Sequence, residues 1–367
     1  MLILLDCRPL SLSGPDSEKT RFLFSIVSAL AGDPRYQWLL VTGTRDSIPG
    51  LPGTRLIRLR VLPGKLGWRR WYDVQIPRLA KRYKADMVMT TGGVAAKTPL
   101  PQCIWMPARA NPREGRSWPP LYPSRLTDSL HRAGTLIGYS DRDRSWLMGR
   151  DATVGDKLFI LHPSPAASAT PLPIDGREMA KAEFAQGREY FLADAGIAGE
   201  KQLIHLLKAF SLFKRRQHSN LQLLIAGNAD ADQLKKLETY KYKDDVHWCP
   251  PLAPADGRLL AGAYAFLFLF EGNSLGGPVL DAWKSGVPVI VSTGGIGQDL
   301  APDAVLCADG SDPSSLATHL MSVYKDEGLR GRLITRGLVR LADFDWEAKI
   351  GAVRSLIGRS VESPEIS

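Results

Sequence analysis

The stretch between Ala265 and Gly295 constrains the fold of this 367-residue chain more than any other. Ala265–Phe270 (AFLFLF) is apolar at every position and far too short to span a membrane. That is the signature of a parallel strand buried on both faces. Val287–Ser292 (VPVIVS) is a second such run. Between them, Pro278 marks the first turn of a short helix, where a missing N–H costs least. Gly286 follows the last turn, where a left-handed cap wants no Cβ. Gly272, Gly276 and Gly277 let the intervening loop bring its backbone close to a ligand. Such a strand, loop and helix aim bare amides and a positive helix end at the carboxyl edge of a sheet, a place for a phosphate. Glu271 ends the first strand and Asp281 lies one turn inside the helix. An acid so placed can accept hydrogen bonds from the vicinal hydroxyls of a ribose. On the residues alone, the same pattern also describes a plain glycine-rich turn with an acid set for the helix dipole.

Taken in order, the chain repeats this α/β logic. Leu2–Leu5, Trp38–Thr42, Asp86–Thr90 and Cys103–Met106 read as strands, with a helix over 17–31 carrying Phe22, Ile26, Val27 and Leu30 at helical spacing. Another helix begins near Pro77. After a Pro-, Ala- and Ser-rich linker at Pro163–Arg177 (PSPAASATPLPIDGR), the second half reads as strand Tyr190–Leu192, helix Lys201–Arg216, strand Leu221–Ala226 ending at Gly227, and strand Val246–Trp248. Length alone suggests two domains. Four scattered cysteines (Cys7, Cys103, Cys249, Cys307) indicate neither a disulfide framework nor a zinc site. They read as small apolar residues in a reducing compartment. The opening MLILLDCRPL has no basic region and Asp6 interrupts it after five residues, so it does not read as a signal peptide. With no apolar run of about 18 residues, a cytoplasmic protein is expected.

Charge is unevenly placed. Residues 1–175 hold 25 Lys and Arg against 14 Asp and Glu, a net of +11, and the remainder is at −2. Thr54–Lys84 contains ten basic residues and one acid, Asp73. This is a local field. Trp68, Arg69, Arg70, Trp71, Lys81 and Arg82 read as a membrane-facing patch, aromatics at headgroup depth and cations toward anionic lipid. A nucleic-acid surface uses the same ingredients, but no recognised reader module accompanies them. A solvated helix face with its tryptophans in the core is the third reading.

The run E-G-N-S-L-G-G-P-V-L-D-A-W-K-S-G-V-P-V-I, Glu271 to Ile290, resembles the donor signature of the retaining glycosyltransferases of family 4, E-G-F-G-L-P-x-L-E-A-x-x-x-G-x-P-V-I. Glu271, Gly272, Gly276 or Gly277, Pro278, Leu280, Ala282, Gly286, Pro288 and Val289 match. Asp281 stands for the second glutamate, ten positions after the first rather than eight. The segments Tyr139–Asp143, Lys157–His162, Ser311–Pro313 and Phe344–Glu347 are similar to further family motifs.

The resemblance implies an α/β fold of the GT-B class: two doubly wound Rossmann-like domains facing a cleft. Residues 1–165 would form the acceptor side and 178–345 the donor side. A helix over 346–361 would cross back to the first domain, with a disordered tail at 362–367. It implies a metal-independent hexosyl transfer with retention, from a nucleotide-diphosphate sugar to a lipid-linked or polysaccharide acceptor, in glycan and cell-envelope biosynthesis. No cofactor and no nucleic acid are expected, and attachment would be peripheral, on the inner face of the membrane. In this reading Glu271 meets the sugar hydroxyls, Lys201 steadies the leaving diphosphate and Asp281 holds the ribose. Gly272, Asn273, Ser274, Leu275, Gly276, Gly277 and Gly227 complete the donor site. Arg8, Gly14 and Arg109 fall on the acceptor or phosphate side. Two positions are filled differently from the family: Ile104-Trp105-Met106-Pro107 lacks the usual histidine, and Gly196 stands where a clamp arginine is common. These carry a second reading, a catalytically degenerate relative acting as a partner subunit or nucleotide-sugar binder.

Overall fold

Strands that are apolar at every position must be covered on both faces, which favours parallel sheets with helices above and below. The computed structural model describes residues 1–10, 18–44, 46, 51–106, 122–194, 200–252, 256–269 and 274–362, and among them every paired strand is parallel. The chain divides into two units, Met1–Pro163 with Trp346–Ser367, and Ser164–Asp345.

The first unit runs β1 (Leu2–Asp6), α1 (Glu18–Ala31), β2 (Gln37–Gly43), β3 (Thr54–Leu59), α2 (Gly64–Arg70), α3 (Ile76–Tyr83), β4 (Met87–Thr90), β5 (Gln102–Trp105), α4 (Tyr122–Arg132), β6 (Thr135–Gly138), α5 (Asp141–Met148) and β7 (Leu158–Ile160). Its sheet order is β3-β2-β1-β4-β5-β6-β7. The second unit runs α6 (Ile174–Ala185), β8 (Tyr190–Asp194), α7 (Glu200–Gln217), β9 (Gln222–Ala226), α8 (Ala231–Glu238), β10 (Val246–Cys249), α9 (Arg258–Ala261), β11 (Ala265–Phe268), α10 (Gly277–Lys284), β12 (Val289–Ser292), α11 (Ile296–Leu300), β13 (Val305–Ala308), α12 (Pro313–Lys325) and α13 (Glu327–Arg340). Its order is β10-β9-β8-β11-β12-β13. In each sheet the strand order reverses once, between β1 and β4 and between β8 and β11. Crevices at such reversals, outside the carboxyl ends, are where open α/β sheets take ligands.

The last helix, α14 (Trp346–Glu362), belongs to the first unit, where Ile350, Val353, Leu356 and Ile357 are buried. The tail expected to be disordered begins inside this helix, and residues 363–367 lie outside the described residues.

Several elements differ from the sequence reading. The sequence reading has no strand at β3, because TRLIRL is neither uniformly apolar nor strictly alternating: Arg55 and Arg58, three apart, are exposed and the rest is half-buried. The helix expected from Pro77 starts much earlier: α2, a π-helical turn at Trp71–Gln75 and α3 follow one another without a break. The linker contains the start of α6, which opens at Ile174. β12 begins at Val289 because Pro288 has no amide to donate, and it contributes only its carbonyl, to Phe266 N at 2.9 Å.

Ile350 is 1% exposed. Ile350→Ala should therefore cost roughly 2–5 kcal/mol in urea denaturation. A loss well below that range would mean that α14 does not complete the first unit's core.

Candidate functional site

The reversal in the second sheet brings two of the expected elements together. β8 and β11 pair directly, Phe191 beside Ala265 and Ala193 beside Leu267. The chain leaving β8 enters α7, whose first turn carries the exposed Lys201. The chain leaving β11 enters the turn Ser274–Gly277 and then α10. Glu271, Gly272 and Asn273 lie outside the described residues, as do Gly14 and Arg109.

The turn into α10 is built for a tight entry. Gly276 caps the helix at φ 85°, and a Cβ there would stand 2.5 Å from Leu300 Cδ1. A left-handed φ disfavours other residues at that point. Ser274 Oγ accepts the Gly276 amide at 3.0 Å, so that N–H serves the turn itself. Pro278 occupies the first helical turn. Val279, Leu280, Ala282 and Trp283 then bury the helix against the sheet, and Leu275 is buried before them. Gly227, at φ 147°, ends β9 and donates to Cys249 O at 3.0 Å, which places it one strand beyond β8. A shallow cleft between the starts of α7 and α12 is lined by Gln202, His205, Ser292, Asp309 and Asp312. His205 Nδ1 sits 2.9 Å from Gly310 O on its wall.

Asp281 is half-buried and already engaged. Its Oδ1 accepts the Ala166 amide at 2.6 Å. One turn on, Lys284 Nζ donates to Ala166 O at 3.0 Å. The same helix face therefore holds both polar groups of one residue near the start of the second unit. Nothing in the motif pointed to this grip.

The reversal in the first sheet is organised by Asp6 and Arg8. Asp6 ends β1 fully buried; its Oδ1 accepts from Trp71 Nε1 at 2.9 Å and from the Arg8 amide at 3.1 Å. Its carbonyl accepts from Thr91 Oγ1 at 2.8 Å, tying β1 to the end of β4. Arg8 is buried too. Its guanidinium donates to Gly67 O at 3.3 Å and Leu62 O at 3.2 Å and lies 3.8 Å from the Trp68 ring centroid. Burial pushes the Asp6 carboxyl up to about 7, against the opposing pull of the Arg8 amide and the Trp71 and Tyr72 side chains.

This cluster corrects the membrane patch. Trp68 is 5% exposed and Trp71 fully buried, so neither ring can sit at headgroup depth. Positions 68, 71, 72, 76, 79 and 80 fall on one helical face and pack inward, while Arg69, Arg70, Lys81 and Arg82 are exposed. Among the described residues, no helix is long and apolar enough to cross a membrane, and no group of three or more His, Cys, Asp and Glu could hold a metal ion.

Comparison with known proteins bears on this geometry. Residues 175–339 match the family model for glycosyl transferases group 1. O-antigen chain mannosyltransferase B of Escherichia coli is 32% identical over 235 residues, 60% of this chain and 60% of that protein's own length. WaaG, a glycosyltransferase involved in lipopolysaccharide biosynthesis, superposes with a TM-score of 0.71 at 15% identity, over 96% of this chain and 98% of its own. Anabaena HepE, solved with UDP and glucose, gives 0.72 at 11% identity, over 97% and 99%. The fold is therefore GT-B, and the family resemblance read from the motif holds for the second unit.

The buried Asp6 makes a prediction. An unfolded aspartate titrates near 4, and the folded one near 7. Between those values the folded state holds more protons, so stability falls as pH rises from about 4 to 7, by up to about 1.4 kcal/mol per unit, and levels above. Asp6→Asn should remove that slope in urea denaturation series. Parallel wild-type and variant curves across the window would show that Asp6 titrates normally.

Proposed function

We propose that this chain, whose residues 175–339 make a glycosyl transferases group 1 domain on a GT-B fold, is a glycosyltransferase. It passes a sugar from a nucleotide-diphosphate sugar to a glycan acceptor in glycan biosynthesis. The observation that carries this reading is the β8/β11 reversal, flanked by an exposed lysine on one side and a glycine-capped helix start on the other. Charge develops on the diphosphate as it leaves, and a cation with a positive helix end beside it stabilises that charge more in the transition state than in the ground state. Lys201 and the start of α10 take that part. Glu271 meets the sugar hydroxyls, and Asp281 exchanges the Ala166 amide for ribose hydroxyls. Retention follows if the leaving phosphate itself takes the proton of the attacking hydroxyl, since the route then needs no protein nucleophile. The names of the relatives, a mannosyltransferase of O-antigen chains and an enzyme of lipopolysaccharide biosynthesis, support a hexosyl donor and a lipid-linked or polysaccharide acceptor. Such an acceptor would be met at the inner face of a membrane.

A second reading, a nucleotide-sugar binder without turnover, is favoured by one feature. Where family members commonly place a histidine, Ile104, Trp105 and Met106 are all buried in the first unit.

A thermal-shift screen across UDP-, GDP- and ADP-sugars tests the donor. A ligand at 100 times its Kd adds about 2.7 kcal/mol to apparent stability, a rise of several degrees. No shift with any of them would sink the reading. Asp281→Ala should then weaken the nucleotide by roughly tenfold or more, as a charge-assisted acceptor is lost; unchanged binding would place the ribose elsewhere. Lys201→Ala should lower kcat by about 100-fold with a much smaller change in KM. An unaltered kcat would assign the diphosphate to another cation, and donor binding with no turnover in the wild type would favour the second reading.

A further inference from the structure

We propose that the outer face of Thr54–Lys84 docks on an anionic lipid bilayer, with Leu62 and Leu66 as its apolar contact and the surrounding lysines and arginines as its headgroup ligands. The tryptophans take no part.

The fold sorts this segment by chemistry. All ten of its lysines and arginines are exposed, along the outer strand β3 and over α2 and α3. Its one acid, Asp73, is taken up by Arg125, whose Nη1 and Nη2 donate to it at 2.7 and 2.8 Å. Asp73 also lies 3.5 Å from Arg69 Nε, so within the segment this acid meets one of the ten cations and the other nine keep their field. Trp68, Trp71 and Tyr72 are turned into the core, and Tyr83 is half-buried under Arg55 and Arg82. In their place stand two leucines: Leu62 is 51% exposed and Leu66 76%. They lie four residues apart, bordered by Lys65, Arg69 and Arg70.

Their exposure is enforced. A Cβ on Gly67 would fall 1.7 Å from Leu62 O, so only glycine lets the 62–67 turn close this tightly. Arg8, itself buried, clamps Leu62 O and Gly67 O from below and stacks on Trp68. The turn is therefore pinned to the end of β1, and Leu62 is held out by a fixed backbone. An apolar pair ringed by cations suits the headgroup–acyl boundary: cations draw anionic lipid, and leucines gain from leaving water. A polyanion in solution would use the cations and give the leucines nothing.

The test is sedimentation of the full chain, without donor, on phosphatidylcholine vesicles with and without phosphatidylglycerol, at low and moderate salt. Wild type should favour the phosphatidylglycerol vesicles by roughly tenfold or more, and salt should weaken that binding. Arg69→Glu with Arg70→Glu should reduce it by more than about tenfold. Leu62→Ser with Leu66→Ser should reduce it by about tenfold at both salt concentrations, leaving the salt dependence in place. All four side chains are exposed, so the leucine variant should keep the wild-type melting temperature, and the charge variant, which loses the Arg69–Asp73 pair, should melt only slightly lower. Equal binding to both vesicles would overturn the proposal. So would a leucine variant that binds like wild type and is displaced by an oligonucleotide, which would assign the face to a polyanion. Donor-induced thermal shifts should be unchanged in both variants. A failed transferase reading therefore leaves the vesicle result standing, and the reverse.

Discussion

Parallel pairing is the constraint from which the rest of this molecule follows. A parallel strand must be re-entered from the far end, so every connection crosses the sheet and every strand delivers its carboxyl end to the same edge. Where strand order reverses, neighbouring connections leave on opposite sides and a crevice opens. Asp6 and Arg8 stand at one such reversal, Lys201 and the Gly276 turn flank the other. Lys201 and Gly276 are far apart in sequence, as are Asp6 and its partners Trp71 and Thr91. Pairing of β1 with β4 and of β8 with β11 puts them together.

What could be read from the sequence was what burial makes uniform. The strands flanking the donor motif are apolar at every position but Ser292 because both faces are covered, and that pattern survives without any knowledge of tertiary structure. The glycines and prolines around α10 report backbone demands that few other residues meet, and Gly286 does adopt the left-handed conformation expected after the helix, at φ 70°. β3 escaped because no residue of this edge strand is fully buried, so its two arginines interrupt the apolar run and it resembles a loop. The tryptophans were misplaced for a geometric reason. Adjacent in the chain to Arg69 and Arg70, they read as one mixed surface, yet a helix separates neighbours by about 100° and sends rings and cations to opposite faces. The stripe at 68, 72, 76 and 79–80 was visible in the letters, but the π-helical turn within it breaks strict periodicity. The grip of Asp281 on Ala166 left no mark at all, since it joins residues 115 positions apart through a backbone amide.

The first unit also shows what a buried charge can be used for. Leaving a carboxylate in a dry interior is costly unless donors surround it. Here the donors are the Trp71 indole and the Arg8 backbone amide, with the charge of the Arg8 guanidinium nearby. Hydrophobic packing is tolerant of small slips. A hydrogen-bonded carboxylate is not, and so the register of the 62–72 segment against β1 is set by directional bonds.

Asp281 gives the second unit an occupant of its own. A ligand hydroxyl that seeks this carboxylate finds a backbone amide in residence, tethered to the same chain and therefore present at a fixed effective concentration that dilution cannot lower. If Asp281 takes a ligand hydroxyl, as proposed, Ala166 is its built-in competitor. Affinity at this carboxylate is then scaled by the fraction of time the amide is away. Ligand selectivity at such a position depends on more than the ligand's own contacts. It depends equally on how readily residues 164–166 let go, so substitutions in that short border segment, remote from any sugar or phosphate, would tune binding from behind.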